Sequence, residues 1–289
     1  LGAMWFAWWE MRVEHPLLDI RVFRNRSLAT ASVVLMVLFA MMMGLFLVIV
    51  QFLQAVLGYS AIKASLSLMP MAIVMMPLST VAPRIASRIG YRAMFTVGMG
   101  LFATGLAMMA SMASVSGGYW SVLPGFLVLG VGMGLAQTPA TTAITASLPV
   151  EEQGVASALN DTVREFGGAL GIALIGSVLS AGYRAGLGSS ADALPPAAAE
   201  AVNSGIGGAS VVASQAGAAG EQIMTVARSA FVDGLSQSLW IAAGISVLAG
   251  LSAFLWTPNQ HHAADGSLEE IDELEVLEHS IEAEAALVD

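Results

Sequence analysis

The sequence predicts an all-α membrane protein, and three observations lead to this fold class. The 289 residues are 56% hydrophobic and only 11% charged, with a mean hydropathy of +0.76, far more apolar than a soluble domain of this length. Six apolar runs are each long enough to cross a hydrocarbon core of about 30 Å, which takes about 20 helical residues. Because these runs lack the apolar and polar alternation of membrane-barrel strands, we expect helices surrounded by a lipid bilayer.

The chain opens with the predicted end of a preceding membrane helix, residues 1–11, followed by a predicted cytoplasmic linker over residues 12–26. Three tryptophans near the start are typical of the interfacial belt of a membrane protein, and the first arginine follows them as an anchor. No charged segment precedes an apolar core, so the pattern does not indicate a signal peptide. We therefore expect the chain to be a fragment of a longer protein.

Residues 27–256 form the predicted transmembrane unit. On its last helix, Trp240 and Trp256 lie about 24 Å apart at 1.5 Å per residue, a distance that suits two aromatic belts. The six spans that we predict are Leu28–Val56, Ile62–Ala82, Ala93–Ala113, Trp120–Ser147, Val155–Ala181 and Leu235–Trp256.

Arginine is concentrated in two connections that the helix count places on the same side of the membrane. One is the linker at residues 12–26, and the other, "RIASRIGYR", holds Arg84, Arg88 and Arg92 without any acid. The connection between the first two spans has only Lys63 as a base. The positive-inside rule therefore places the arginine-rich connections in the cytoplasm.

The connection over residues 182–234 is then predicted to be an external loop. It is rich in small residues, which favours an exposed connector with fragmentary helix. Its last part and the residues that follow, 221–240, keep apolar side chains on one side. This pattern predicts a helix that lies along the interface before the last span begins.

The net charge of −10 belongs to a predicted cytoplasmic tail, because residues 257–289 contain ten acids and no lysine or arginine. Such an acidic chain is not expected to bind nucleic acid. Leucines and isoleucines at three- and four-residue steps predict a short amphipathic helix there. Two interpretations stay open, a solvated tail or a segment that docks onto the arginine-rich cytoplasmic connections.

The stretch "PRIASRIGYR" resembles the cytoplasmic loop motif of the major facilitator superfamily, in which a glycine and an acid precede basic residues around a second glycine. Arg88, Gly90 and Arg92 match the second part of that motif. Pro83 stands in place of the first glycine and Ser87 in place of the acid. In the family this acid clamps a neighbouring helix end, so the departure removes that partner.

Four further stretches resemble, in order and spacing, the second half of the fourteen-span drug:proton antiporter group of that superfamily. They are "HPLLDIRVFRNRSLA", "QFLQAVLGYSAIKASLSLMP", "GVGMGLAQTPATTAI" and "GVASALNDTVREFGGALGIALIGSV". The resemblance covers residues 1–256. It implies that the six helices form the C-terminal half of a major-facilitator bundle and that the N-terminal half is missing.

The resemblance also implies an activity, the proton-coupled export of lipophilic drugs or similar small amphipathic compounds by alternating access. The expected location is a bacterial inner membrane, which the protein crosses several times. The expected partners are the lipid bilayer, the missing N-terminal half and a small-molecule substrate, and the proton gradient supplies the energy without a cofactor. The other hypothesis is a non-transporting remnant or a partner membrane subunit.

Charged residues inside the fifth span are candidates for a functional site, since each costs about 2.5 to 3.5 kcal/mol at a helix centre. Asp161 and Arg164 are close enough on a helix to pair, Glu165 follows, and Asn160 lies one turn from Arg164. In one interpretation, Asp161 and Arg164 form an ion pair that orients the helix or seals an inner gate. In the other, Asp161 or Glu165 exchanges a proton during transport.

Two amides, Gln51 and Gln54, lie near the outer end of the first span. They are predicted either to line the outward mouth of a substrate cavity or to be ordinary polar residues at the interface.

Small residues and a proline mark the fourth and fifth spans. Glycine removes side-chain bulk and proline removes a backbone donor, so the pattern favours either close helix packing or a hinge. These residues are Gly130, Gly132, Gly134, Pro139, Gly167 and Gly171.

No catalytic constellation is present in the sequence. The chain has no cysteine, which excludes disulfides, thiolate metal sites and cysteine nucleophiles. It also has no phosphate-binding loop and no cluster of metal ligands at a recognised spacing. We therefore expect neither an enzyme nor a metal site.

Overall fold

The computed structural model describes residues 23–191 and 194–258, and its regular elements there are helices. Six of them are long and apolar enough to cross a membrane, which confirms the predicted all-α membrane fold. The helices are α1 Arg26–Gln51, α2 Ala61–Ile89, α3 Tyr91–Met112, α4 Leu123–Thr145, α5 Gln153–Leu187, α6 Pro196–Ser204, α7 Ile206–Gln215 and α8 Gly220–Trp256.

The first two helices begin at side-chain caps. The side-chain oxygen of Asn25 accepts hydrogen bonds from the backbone N–H groups of Ser27 and Leu28, at 3.0 and 3.4 Å. At the start of α2, the hydroxyl oxygen of Ser60 accepts a hydrogen bond from the N–H of Lys63, at 3.3 Å. Such caps satisfy N–H groups that a helix leaves unpaired in its first turn.

The connection between α2 and α3 is a single residue, Gly90. Its φ of 84° lies in the left-handed region that favours glycine, so the chain reverses there without a longer loop. The predicted loop over residues 83–92 is therefore wrong in extent, because Arg84 and Arg88 belong to the last turns of α2. Arginine is a good helix former, and positive charge alone does not end a helix.

The membrane-length helices form two layers. The front layer contains α5, α1, α4 and α2 in that order, and α3 and α8 lie behind it. Within the front layer, α1 runs parallel to α5 and α2 runs parallel to α4. The end of the bundle at which α1 and α5 begin is called the arginine end, and the end that carries α6 and α7 is called the connector end. The arginines at the first of these ends include Arg24, Arg26, Arg84, Arg88 and Arg92.

Glycines bring α5 against α1. A Cβ atom at Gly167 would overlap the backbone of Met36, and one at Gly171 would overlap the backbone of Ala40. The two contacts have the same sequence offset, as expected for parallel helices in register. Both glycines are buried, and their contacts support the interpretation of close helix packing.

Glycines on two faces of α4 let it contact both of its neighbours. A Cβ atom at Gly130 would lie 2.9 Å from the carbonyl oxygen of Met71 in α2, and Gly134 makes the same approach one turn further along. Gly132 faces the other way and contacts the backbone of α3. Pro139 is buried within the same helix. Close packing accounts for the three glycines, and the hinge stays a prediction.

The last helix is longer than predicted. α8 runs without a break over 37 residues, so the prediction of a separate interfacial helix at residues 221–240 is wrong. The apolar side of that segment packs against α5, where Gly182 and Gly234 allow the two backbones to approach closely. A stretch that is apolar on one side can lie on a membrane or on a neighbouring helix, and here the neighbour covers it.

The connector between α5 and α8 is correspondingly short and spans residues 188–219. Its two short helices, α6 and α7, agree with the predicted fragmentary helix. They bury Val202, Ile206 and Ala209, so the connector packs onto the bundle and does not extend freely from it.

Several predictions fall outside the described residues. These are the end of a preceding helix in residues 1–11, most of the linker in residues 12–26, and the acidic tail beyond residue 258.

Candidate functional site

A groove of about 620 Å³ lies between α1 and α5. Apolar side chains from both helices form part of its wall, and three charged side chains of α5 form the rest. The residues that line it include Phe39, Met43, Asp161, Arg164, Glu165 and Ile172. Three of the four sequence-predicted residues of the fifth span are thus brought together in one groove.

The charged side chains share the groove because of helix periodicity. On α5, Gly167 and Gly171 face α1, and Asp161, Arg164 and Glu165 lie on the adjoining face at three- and four-residue steps. Measured from the start of α5 at 1.5 Å per residue, Asp161 lies about 12 Å and Glu165 about 18 Å along the helix. A hydrocarbon core is about 30 Å thick, so these groups lie within membrane depth, nearer to the arginine end.

The guanidinium group of Arg164 lies over the ring of Phe39, with its central carbon 4.3 Å from the ring centroid. This is a cation–π contact between α5 and α1. No carboxylate oxygen in the described part of the chain lies within 4.0 Å of Arg164, so the predicted ion pair with Asp161 is not formed. Among the described residues, neither Asp161 nor Glu165 has a basic side chain within 4.0 Å.

Asn160 lies behind the groove and is 7% exposed. Its side-chain nitrogen donates a hydrogen bond of 3.4 Å to a carboxylate oxygen of Asp161. Its amide oxygen has no hydrogen-bond partner among the described residues. Asn160 therefore contacts Asp161 and does not itself line the groove.

The front layer exposes large apolar side chains both near the groove, in α5, and at its opposite edge, in α2. In α2, Ile62 is 76% exposed and Met76 is 66% exposed, and in α5, Phe166 is 55% exposed. Apolar area of this kind on long helices is covered by lipid or by further helices.

Gln51 lies at the connector end, where it lines a second, smaller pocket of about 130 Å³ between α1, α5 and the connector. Its side-chain nitrogen donates a hydrogen bond of 3.1 Å to the carbonyl oxygen of Leu47. Gln54 is exposed on a π-helical turn, Phe52–Val56, that continues α1. The structure therefore separates the two amides, and only Gln51 lines this pocket.

The residues of the loop motif lie at the arginine end. Arg84 and Arg88 are exposed on the last turns of α2, and Gly90 is buried. The guanidinium group of Arg92 lies 4.5 Å from the ring centroid of Phe254, which joins α3 to α8. This part of the motif therefore connects helices of the back layer.

Sequence reasoning missed Phe39 and Tyr183. Phe39 sits in the apolar run "MVLFAMMMG" and is distinguished from its neighbours only by its contact with a helix far along the chain. Tyr183 is 2% exposed, lines the smaller pocket and follows the span that the sequence predicts. A polar aromatic residue just beyond a predicted span was the available signal.

Six membrane-length helices in two layers, with a charged groove between two of them, define a multi-pass membrane protein. The family model of the Major Facilitator Superfamily matches residues 8–172, more than half of the chain. The chain therefore belongs to the major facilitator superfamily.

Proteins named for drug resistance or drug efflux are among those similar to this chain. Multidrug resistance protein Stp of Mycobacterium tuberculosis is 27% identical over 282 residues, which cover 93% of this chain and 52% of the relative. Multidrug efflux pump LfrA of Mycolicibacterium smegmatis is 31% identical over 252 residues, 86% of this chain and 49% of the relative. Methyl viologen resistance protein SmvA of Salmonella typhimurium is 28% identical over 247 residues, again 86% and 49%. The chain spans about half the length of these curated relatives.

Proposed function

We propose that this chain is the C-terminal half of a proton-coupled efflux transporter that exports lipophilic drugs or similar small amphipathic compounds by alternating access. The observation that carries the proposal is the groove between α1 and α5, where two acids and an arginine lie beside apolar walls. The names of the relatives support it, since they refer to multidrug resistance, multidrug efflux and methyl viologen resistance.

The chemistry of the groove fits an amphipathic cation. Its volume of about 620 Å³ lies within the range of about 300 to 1,000 Å³ that is usual for small-molecule sites. Phe39 and Met43 supply an apolar surface, and methionine adapts to ligands of different shape. Asp161 and Glu165 supply negative charge that Arg164 does not neutralise, since its guanidinium group lies over Phe39. A cation in the groove therefore meets two acids that form no ion pair with the described residues, beside the single positive charge of Arg164.

Asp161 and Glu165 are also the candidates for proton exchange. Both are exposed, so water in the groove reaches them. An acid that holds a proton does not attract a cationic drug, and an acid that binds the drug does not hold a proton. Binding of one ligand therefore favours release of the other, which couples proton entry to drug export. The proton gradient is the energy source, and no cofactor takes part.

A second half of the transporter would cover the front layer. The exposed apolar side chains of α2 and α5 fit helices of such a half, which would close the groove from the opposite side. The proposal therefore predicts no transport by these six helices alone.

The proposed location is a bacterial inner membrane. By the positive-inside rule, the arginine end and the acidic tail lie in the cytoplasm and the connector lies outside. The partners are the lipid bilayer, the missing N-terminal half and the small-molecule substrate, and nucleic acid is not among them.

Dye efflux tests this function. The chain is expressed together with its genomic upstream sequence in bacteria that lack their own drug pumps, and efflux of a lipophilic cationic dye is followed with and without a protonophore. We expect efflux that the protonophore abolishes. We also expect Glu165→Gln or Asp161→Asn to slow it at least tenfold at equal protein level, whereas Glu221→Gln, an exposed acid at the start of α8, has no effect.

Other outcomes separate the alternatives. Efflux that neither groove substitution alters would keep the exporter and assign proton coupling to the other half. No efflux of any dye, by a protein that reaches the membrane, would contradict the exporter and favour a non-transporting remnant or partner subunit.

A further inference from the structure

Four exposed arginines at the arginine end take no part in the groove. Arg24 and Arg26 lie beside the start of α1, and Arg84 and Arg88 lie on the last turns of α2. No carboxylate oxygen in the described part of the chain lies within 4.0 Å of any of them. Arg84 and Arg88 are four residues apart, so they place two positive charges on one face of α2, about 6 Å apart along the helix. An anionic partner can therefore bind this face.

The most acidic segment of the chain begins at the same end of the bundle. α8 ends at Trp256, and the tail that follows has ten acids and no lysine or arginine in residues 257–289. Residues 269–278 alone contain six of these acids. Blocks of like charge often act as interaction segments, and a partner of opposite charge is the one that they fit.

The start of the tail lies next to the arginines of α2. The ring centroid of Phe254, in the last turn of α8, lies 4.5 Å from the guanidinium carbon of Arg92. Arg92 follows Arg88 by four residues, so their Cα atoms are at most about 15 Å apart at 3.8 Å per residue. Thr257, the first residue of the tail, is 4% exposed. The chain therefore leaves α8 against the end of the bundle, on the side of the arginines.

The tail is long enough to reach both arginines of α2. Glu269 follows Trp256 by thirteen residues, which span about 20 Å as a flexible coil and at most about 45 Å when extended. Because the tail belongs to the same chain, its effective concentration at this surface is in the millimolar range. Exposed ion pairs are weak one by one, but several of them together can hold a segment that is already tethered.

An anionic lipid headgroup is the other candidate partner for Arg84 and Arg88, since both lie at the end of a membrane-length helix. Two observations favour the tail. Its first residue already packs against the bundle, and an acidic segment is repelled by an anionic membrane surface, which keeps it at the protein.

We propose that residues 265–284 of the acidic tail dock onto the face of α2 that carries Arg84 and Arg88. The docked tail joins the end of α8, in the back layer, to the end of α2, at the edge of the front layer. The contact is electrostatic, so it weakens as salt shortens the screening length from about 8 Å at 0.15 M to about 3 Å at 1 M. The contact itself does not rest on the proposed function.

Cross-linking of two introduced cysteines measures this contact without any need for transport. The chain has no cysteine, and the upstream half has its cysteines replaced by serine. Ser87→Cys, exposed between the two arginines, is paired with Ser280→Cys among the acids of the tail. The rate of reaction with a short bismaleimide is measured in phosphatidylcholine vesicles. We expect this rate to be at least fivefold faster than the rate for Ala146→Cys paired with the same tail cysteine. Ala146 is the control because it is exposed at the same end of the bundle, just after α4.

Charge reversal then assigns the contact to these residues. Arg84→Glu combined with Arg88→Glu should lower the rate to the control level, and replacing the six acids of residues 269–278 by lysine in the same protein should restore it. The lysine tail with the original arginines should react at the control level. Salt at 1 M should also lower the rate for the unreversed pair to that level. The salt test and the lysine tail leave the six helices unchanged, so they remain decisive if the arginine variants do not fold.

Equal rates at Ser87→Cys and Ala146→Cys, a fast rate that 1 M salt leaves unchanged, or charge reversals that do not compensate would overturn the proposal. Loss of the fast reaction in vesicles of equal parts phosphatidylcholine and phosphatidylglycerol would also overturn it, because lipid headgroups would then occupy the arginines. Loss of dye efflux with fast cross-linking retained would contradict the proposed function alone.

Discussion

The two parallel helix pairs of the front layer are built alike and differ in what lies beside their contacts. In the α1–α5 pair, Gly167 and Gly171 meet the backbone of α1, and in the α2–α4 pair, Gly130 and Gly134 meet the backbone of α2. Each pair uses two glycines four residues apart. Next to the first contact lies a charged groove of about 620 Å³, whereas the side chains of α2 next to the second are apolar.

This difference distinguishes the residues that pack the helices from the residues that line the candidate site. Small residues decide how closely two membrane helices approach, and they do so in both pairs. The residues on the adjoining face decide what the approach is used for. The three charged residues on α5 are costly inside a membrane, and in the proposed function the groove that they line uses their charge.

The largest expected effect comes from disrupting the glycine contact between α1 and α5. In Gly171→Ala, the new Cβ atom would overlap the backbone of Ala40, which cannot move aside as a flexible side chain can. We expect a loss of about 3 kcal/mol of stability, the upper end of ordinary overpacking, and little protein in the membrane. Thermal unfolding in detergent measures it.

The matched control is Gly100→Ala in α3, where a Cβ atom would have no heavy atom within 4 Å. Its melting temperature should be unchanged or slightly higher, because alanine favours helix more than glycine does. Equal losses in the two variants would show that glycine itself, and not the close contact, is what the helices need.

A smaller effect is expected from a change in the groove itself, where Phe39 contacts Arg164. Phe39→Leu removes the ring that holds Arg164 at 4.3 Å and keeps an apolar side chain in α1. Arg164 can then turn to Asp161 or Glu165, and a cationic dye meets less negative charge. A cation–π contact contributes about 0.5 to 1 kcal/mol, so we expect dye efflux per folded molecule to fall about two- to fivefold and stability to fall by no more than about 1 kcal/mol.

Phe46→Leu is the control for this change, because Phe46 lies on the same helix and packs against the apolar core of the bundle. It should lower stability and leave efflux per folded molecule unchanged. If both substitutions reduced efflux per molecule equally, Arg164 would have no special dependence on the ring.

The smallest effect on transport concerns the uncharged pair. The hydroxyl group of Tyr119, between α3 and α4, donates a hydrogen bond of 2.6 Å to the carbonyl oxygen of Ser67 in α2. Tyr119→Phe should lower stability by about 1 kcal/mol, as expected for one hydrogen bond, without changing dye efflux. Chemical or thermal unfolding at neutral pH measures the change in stability, and the dye assay measures efflux. A change in efflux would show that α2 shares in the function of the groove.

The same tyrosine predicts a dependence on pH. Burial, and to a lesser degree the neighbouring Tyr59, raise the pKa of Tyr119 above its ordinary value of 10.0. The folded state therefore binds this proton more tightly than the unfolded state does. The contribution of the protonated Tyr119 to the stability of the fold is complete below pH 10, and it is lost as the pH rises through the raised pKa of Tyr119. Tyr119→Phe should remove this part of the alkaline loss of stability.

Much of the fold could be predicted from the sequence, because long apolar runs leave a membrane helix few alternatives. The first two spans begin within two residues of their predicted starts at Leu28 and Ile62. The errors arose where one signal had two physical meanings. Arginine after α2 indicated a loop, although Arg84 and Arg88 are helical, and apolar residues on one side of the first half of α8 indicated a membrane surface, although α5 covers them.

The site could be predicted only in part. Asp161, Arg164 and Glu165 stand out because charge is rare within a membrane span, and all three line the groove. What Arg164 contacts could not be found from the sequence, because local spacing favours Asp161 and only the packing of α1 brings Phe39 there. The roles of these residues stay predictions until the efflux assay is done.

The length of α8 has a consequence for the connector. Its 37 residues extend about 55 Å, and even a tilt of about 40°, the upper end of what membrane helices adopt, leaves it about 42 Å tall in a core of about 30 Å. With Trp256 at one interface, the opposite end of α8 would reach beyond the hydrocarbon core into the headgroup region, and the connector would lie there with it. We therefore expect the connector to lie outside the hydrocarbon core, where polar solutes can reach the smaller pocket beneath it without first dissolving in lipid.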